Sequence, residues 1–240
     1  MGKTISSTHV ALPTSGGDPL RFADAVGERT RGMDFQREGR HPQALACFER
    51  AEALFAKDND LVQVAWTLQN EGLVLELVGR PEDAIGCFTR AERLFADHAD
   101  ANGADLMYRR RGDVLRRMGR QDEARREYAG ALARYDGRHD PNGMINTRCS
   151  DAASLLHLRQ DHDAKLELHT ALTLLRSYHR KAGEYDFLLF ARLAEVEQRI
   201  GEAKTSAAFR LEASRIIDNA GLRQDRSNPD IVALLPAYQG

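Results

Sequence analysis

Apolar residues recur in this chain on a helical rhythm that restarts every forty residues. The count starts from a small residue, Gly32, Gly72, Gly112 or Ala152. Three positions on stands Phe35, Leu75, Leu115 or Leu155; twelve on, Ala44, Ala84, Ala124 or Ala164. Sixteen on stands Phe48, Phe88, Tyr128 or Leu168, and nineteen on, Ala51, Ala91, Ala131 or Ala171. Steps of four and three hold side chains on one helical face. A polar phrase separates the two halves: Gly39-Arg-His-Pro-Gln-Ala44, Gly79-Arg-Pro-Glu-Asp-Ala84 and Gly119-Arg-Gln-Asp-Glu-Ala124, with a copy lacking the glycine from Arg159 to Ala164. Glycine ends a helix readily because it tolerates the left-handed turn. Pro81 opens the next one, where its missing N–H costs nothing. The pattern predicts helix, tight turn, helix in every unit. In a fifth unit, from Phe187 to Ile217, Ala207 and Leu211 keep the phrase only if the turn after Gly201 is one residue longer.

A fixed period of this length predicts stacked units, none able to bury its apolar face alone. The order of small, aromatic and alanine positions resembles the tetratricopeptide repeat, over residues 22 to 217. The resemblance implies an all-α right-handed superhelix of about five helical hairpins, spanning residues 21–220. The family's usual period is shorter, and long-helix variants such as those of kinesin light chains and bacterial peptide-sensing regulators look similar. Two departures stand out. The family's apolar residue before the origin glycine is replaced by Arg31, Glu71, Arg111 and Asp151, and its closing proline by Ala56, Ala96, Asp136 and Arg176. Since these four charges occupy equivalent places in neighbouring units, at least one direct pair among them is expected.

The resemblance also implies that the first helix of each unit lines a concave groove. Its side chains are then Val26, Arg29, Met33, Gln36 and Arg37 in unit one and Trp66, Gln69, Leu73, Glu76 and Leu77 in unit two. Unit three supplies Leu106, Arg109, Asp113, Arg116 and Arg117; unit four supplies Asn146, Cys149, Ala153, Leu156 and His157. The groove is thus expected to be apolar at unit two and basic at unit three, where Arg110 and Arg111 add charge. Trp66, the only tryptophan, is a candidate anchor for a partner side chain, or a packing residue against unit one. Chaperone-binding members of the family clamp a peptide carboxylate from units one to three. Arg29, Asn70 and Arg110 match three of those places, while Met33 and Leu106 break the other two, so a looser acidic-peptide groove is expected instead.

Composition changes this picture little. The net charge is −2, with 34 basic and 36 acidic residues, which gives no global pull toward nucleic acid or a membrane surface. Acidic residues are interleaved with the arginines and aromatic stacking platforms are missing, so nucleic acid is not the expected partner. No segment approaches a membrane span. Cys47, Cys87 and Cys149 make no even framework. Cys47 and Cys87 hold equivalent places in adjacent units, about 10 Å apart by helix spacing, too far for a disulfide. A reducing, cytoplasmic setting is expected.

Residues 1–20 lack periodicity and are expected to be a flexible tail, although Gly2 and Ser6 fit a loose lipidation pattern. Residues 221–240 carry a short apolar run, Ile231 to Leu235, expected to cap the last unit or, less favourably, to dock onto a partner or a second copy. Four histidines, His157, His162, His169 and His179, gather in unit four with Asp161 and Asp163, but turns attract such residues without any metal. No cofactor, metal site or catalytic constellation is expected. The leading reading is a non-catalytic scaffold that binds a protein or peptide, which is acidic or carboxylate-ended. The alternatives are a peptide-sensing regulator and, third, an enzyme built on the repeats.

Overall fold

The computed structural model describes residues 18–178 and 186–221, together with Ala237. Ten helices run through them: α1 (Pro19–Arg37), α2 (His41–Lys57), α3 (Leu61–Leu77), α4 (Pro81–Asp97), α5 (Ala101–Arg117), α6 (Gln121–Gly137), α7 (Pro141–His157), α8 (Asp161–Ser177), α9 (Phe187–Arg199) and α10 (Ala203–Ala220). From α2 to α8 every helix has seventeen residues, and the turns between them are three residues long. That accounts for the period of forty. Longer helices, not longer linkers, set it.

Each helix packs on the next, and the odd-numbered helices also touch one another along the stack. Closer approach on one side is what curves a solenoid, so α1, α3, α5, α7 and α9 form its inner face. Within each hairpin the origin glycine lies against the bulky residue sixteen on. A Cβ at Gly32 would come 2.5 Å from Phe48, at Gly72 2.6 Å from Phe88, and at Gly112 2.5 Å from Tyr128. In unit four the exchange is reciprocal: Ala152 carries a methyl group and Leu168 replaces the ring, both fully buried. A second lock joins units. Phe95 closes on Gly103 and Tyr135 on Gly143, the opening turns of the next hairpins.

The turns follow one scheme. Gly79 N–H donates to the Glu76 carbonyl and Arg80 N–H to that of Leu75, and the same pair of bonds recurs after α1, α5 and α7. This double closure satisfies carbonyls that the helix leaves open. It needs a left-handed residue, and Gly39, Gly79 and Gly119 supply it with φ of 75°, 78° and 81°. Unit four makes the same turn with Arg159 at φ 60°. The inner helices begin on Asp60, Asp100 and Asp140, whose carboxylates accept from backbone N–H groups of the first turn. These caps recur every forty residues, a signal the apolar pattern does not contain.

Two expectations change. The turn after Gly201 is of ordinary length, and Ala207 and Leu211 are exposed. The alanine place falls instead on Ser206, fully buried, whose hydroxyl donates to the Ala194 carbonyl at 2.8 Å. Ala213 and Ile217 complete that face. A serine that bonds its own hydroxyl packs as a small residue, which hid the register. Nor do the four charges before the origin glycines pair with each other. Arg111 pairs with Glu127 at 2.9 Å and Glu92 at 3.7 Å, both on outer helices. Asp151 accepts from Arg125 at 3.1 Å, and Arg31 binds Glu28 on its own helix. Arg111 and Asp151 are met first by charges of the even helices, and Arg31 by a carboxylate one turn away.

The candidate sites at Gly2, Ser6, His179 and Ile231 to Leu235 lie outside the described residues. Cys47, Cys87 and Cys149 are buried free thiols.

Candidate functional site: the concave face

On α1 the guanidinium of Arg29 donates to Gln63 of α3 and lies 5.1 Å from the centre of the Phe55 ring. Burial lowers its pKa, and the nearby Asp60 carboxylate offsets part of that. Arg29 therefore ties two units together. Met33 packs against the Ala44, Phe48 and Val74 cluster. Arg37 is exposed and paired with Asp34 at 2.8 Å.

On α3, Gln69 and Leu73 are buried, and Asn70 is half-buried. Trp66 is half-buried and stands edge-on to Phe95, with ring centres 4.7 Å apart. Its ring partner stands on α4 of its own hairpin, and it packs on the apolar cluster that units one to three share. Phe95 is in turn pressed against Gly103, so Trp66 is braced from behind.

The arginines of α5 divide. Arg109 binds Asp113 at 3.2 Å, and Asp113 is buried and also accepts from the Tyr128 hydroxyl at 3.0 Å. Arg117 donates to Glu76 of α3, a carboxylate largely withdrawn from solvent. Arg111 faces the outer layer. Arg110 has a buried Nε that makes no hydrogen bond, as one guanidinium nitrogen of Arg111, Arg116 and Arg117 also does. Burial, then the like charge of Arg109, pushes the Arg110 pKa down to about 10, a cost that Asp113 and Glu76 only partly relieve.

Further along, Arg116 and Arg117 of α5 face Arg192 and Arg199 of α9 across Ala153 and Leu156 of α7. They enclose a cleft of about 280 Å³. Glu195 of α9 binds Arg192 at 3.1 Å and Arg199 at 2.7 Å. Arg199 also donates to the Leu156 carbonyl at 2.6 Å and to Asp161 at 3.2 Å. This second wall was not foreseen, because the repeat pattern weakens in unit five. With Ser206 at the alanine place, Arg192 and Arg199 hold the positions that Arg110 and Arg117 hold in unit three, whereas a strict period of forty sets both two residues off.

The described histidines of unit four do not converge. His157 is an exposed residue at the rim of the cleft. His169 Nε2 lies 3.0 Å from Glu197, and Asp161 serves Arg199. Among the described residues no three His, Cys, Asp or Glu side chains are grouped to hold a metal ion, and no helix is long and apolar enough to cross a membrane.

Stacked helical hairpins with an inner face of this kind define a helical-repeat scaffold. Residues 25–97 match the tetratricopeptide repeat family, and the fold is a tetratricopeptide-repeat solenoid. Among solved structures the chain is similar to the apo form of RapI, at 13% identity and a TM-score of 0.65, covering 83% of this chain and 72% of that one. It is also similar to nearly identical tetratricopeptide-like repeats from Podosopora anserina, assigned as a kinesin light chain. There the identity is 12% and the TM-score 0.61, covering 82% of this chain and 95% of that one. At such identities the likeness is one of fold. No curated protein matches the sequence.

Proposed function

We propose that this chain is a non-catalytic scaffold that holds an acidic protein or peptide segment along its concave face. Tetratricopeptide scaffolds typically serve protein interaction, and the chemistry of this inner face selects the partner. The observation that carries the reading is Arg110. A guanidinium with a buried, unbonded Nε, next to Arg109, is held at an electrostatic cost in a chain of net charge −2. Such a group gains most from an incoming carboxylate, which arginine binds in a fixed two-pronged geometry. Arg29, Arg109 and Arg117 belong to the frame, since each already ties to a neighbour. Met33, Trp66 and Asn70 would supply the apolar and amide surface beyond the arginines, whereas Gln69 and Leu73, being buried, would add little. The partner is recovered from native extract, its binding segment mapped, and that segment titrated against wild type and Arg110→Gln. A loss of affinity that grows as salt falls supports the reading; equal affinity at every salt concentration sends the partner elsewhere.

A second reading, a peptide-sensing regulator, is favoured by one contact. The Arg117–Glu76 pair joins α5 to α3 across the unit boundary. A ligand carboxylate competing for Arg117 would loosen that joint and change the pitch of the stack.

A further inference from the structure

Unit five breaks the packing rule of the other four. With Ser206 at the alanine place, its origin residue is Ala194, which is buried, and the place sixteen on falls to Arg210, which is exposed. In units one to four that place holds Phe48, Phe88, Tyr128 or Leu168, each fully buried. Such a residue has two neighbours. It closes on its own origin residue, and it reaches the next inner helix, as Phe48 does with Val74 of α3. A guanidinium is ill suited to both, because burying it unpaired is costly. Ala194 therefore meets no large side chain at the usual place, and a cleft of about 240 Å³ lies beside it. Ala191 and Ala194 of α9 form its floor, and Glu195, Gln198 and Arg199 of α9 and Arg210 of α10 form its rim. One further residue lines it: Ala237, sixteen positions beyond Gly221.

Ala237 points to what covers the cleft. It follows the apolar run at residues 231–235 and precedes Tyr238. The reach is ample. The way back along α10 from Ala220 to Arg210 is about 15 Å, and sixteen residues span more than that even when coiled as a helix. We propose that the chain's own segment, residues 231–238, docks in this cleft and supplies the large side chain that α10 lacks. Unit five is then completed from outside its hairpin. The same contact closes the apolar end of the stack to a second copy, which an open end would attract. Glu195 and Arg199 also line the cleft on the concave face, so the docked segment borders the groove at its last unit.

Hydrogen exchange and thermal melting of the whole chain test this. The proteins are wild type, the double variant Leu234→Gln/Leu235→Gln, Arg210→Leu, all three changes together and, as control, Leu166→Gln, whose leucine is exposed on α8. The double variant should lower the melting midpoint by several degrees and lose protection in α9 and α10, with α1 to α4 unchanged. Leu166→Gln should do neither. In the Arg210→Leu background the same double change should cost markedly less, because α10 then carries its own bulky residue. That coupling separates docking in this cleft from a general effect of polar residues at 234 and 235. Unchanged protection of α9 and α10 in Leu234→Gln/Leu235→Gln overturns the proposal, and so does an equal cost with and without Arg210→Leu. Dilution decides whose segment is docked. Protection of wild type that is indifferent to dilution supports docking within one chain; protection that falls on dilution assigns the cleft to a second copy and overturns the proposal.

Discussion

The Tyr128 hydroxyl donates to Asp113 at 3.0 Å in the buried heart of the third hairpin. The two residues vary together along the stack. Where the ring is Phe48 or Phe88, the facing residue is Met33 or Leu73; only where it carries a hydroxyl does a carboxylate stand opposite. A buried carboxylate stripped of one donor keeps its desolvation cost, so Tyr128→Phe should destabilise by about 1–2 kcal/mol. Tyr128→Phe with Asp113→Leu rebuilds the pair of unit two and should recover most of that loss. Urea unfolding of the two single variants and the double variant measures the coupling; strict additivity would show that the hydroxyl and carboxylate act separately.

Phe88 and Gly72 make the corresponding apolar contact. Phe88 is fully buried, and Phe88→Ala should cost about 3–5 kcal/mol through the cavity it leaves. Gly72→Ala fails for the opposite reason, since its methyl would stand 2.6 Å from the ring. Combining them does not restore stability, because a methyl group fills little of a phenyl cavity. A thermal melt of Phe88→Ala near wild type would contradict the packing scheme.

Arg159 holds the left-handed place that glycine holds in the turns within the first three hairpins. A left-handed L-residue costs about 1–2 kcal/mol, and glycine gives part of that back through its looser unfolded state. Arg159→Gly should therefore stabilise by about 0.5–1 kcal/mol, while Gly79→Ala should destabilise by a similar amount. Denaturant midpoints at constant m-value decide both.

Glu71 has the reverse electrostatics of Arg111. Each stands before an origin glycine, and each faces a glutamate of the preceding outer helix, Glu52 or Glu92. For arginine that neighbour is a partner; for Glu71 it is a repulsion. Burial first, then Glu52 and Glu49, push the Glu71 pKa up to about 7, with Arg90 and Arg80 pulling the other way. The folded state thus holds a proton that the unfolded state releases near 4.5. The contribution to stability is full below about pH 4.5 and is lost as pH rises through 7. Glu71→Gln should gain on the order of 1 kcal/mol near pH 8, after allowance for solvent screening, and almost nothing near pH 4.5. Glu71→Arg should gain as well, by pairing with Glu52. Melting curves across that range that run parallel for wild type and Glu71→Gln would refute the shift.

How much of this was legible depended on what kind of signal each residue carries. The hairpins were readable because packing a small residue against a large one constrains both, and the constraint repeats at Gly32 and Phe48, Gly72 and Phe88, Gly112 and Tyr128. The inner face was readable as a list of positions, but not as chemistry. Whether an arginine is available depends on residues far away in sequence: Glu76 lies 41 positions before Arg117, and Tyr128 reaches Asp113 from the other helix. The α9 wall was not readable at all until Ser206 was recognised as the small residue of unit five.

The fifth hairpin shares an apolar core with α7 and α8, and one buried carboxylate adds a polar fastening. Glu197 of α9 is almost fully buried and accepts from Lys165 at 3.1 Å and lies 3.0 Å from His169 Nε2, both on α8. Burial opposes its charge, but the hydrogen bonds from His169 and Lys165 outweigh that and hold its pKa below the ordinary value. A lowered folded pKa contributes stability above the unfolded value near 4.5, and that contribution disappears as pH falls through the folded value. Acid should therefore weaken the hold of α8 on α9 and α10. Hydrogen exchange at stepwise lower pH, corrected for intrinsic rates, should show protection lost in Phe187–Arg199 and Ala203–Ala220. Glu197→Gln should shift that loss toward neutral pH while leaving α3 to α6 unchanged. Simultaneous loss along the whole stack in wild type would mean that the solenoid opens as one unit and that Glu197 is no local latch.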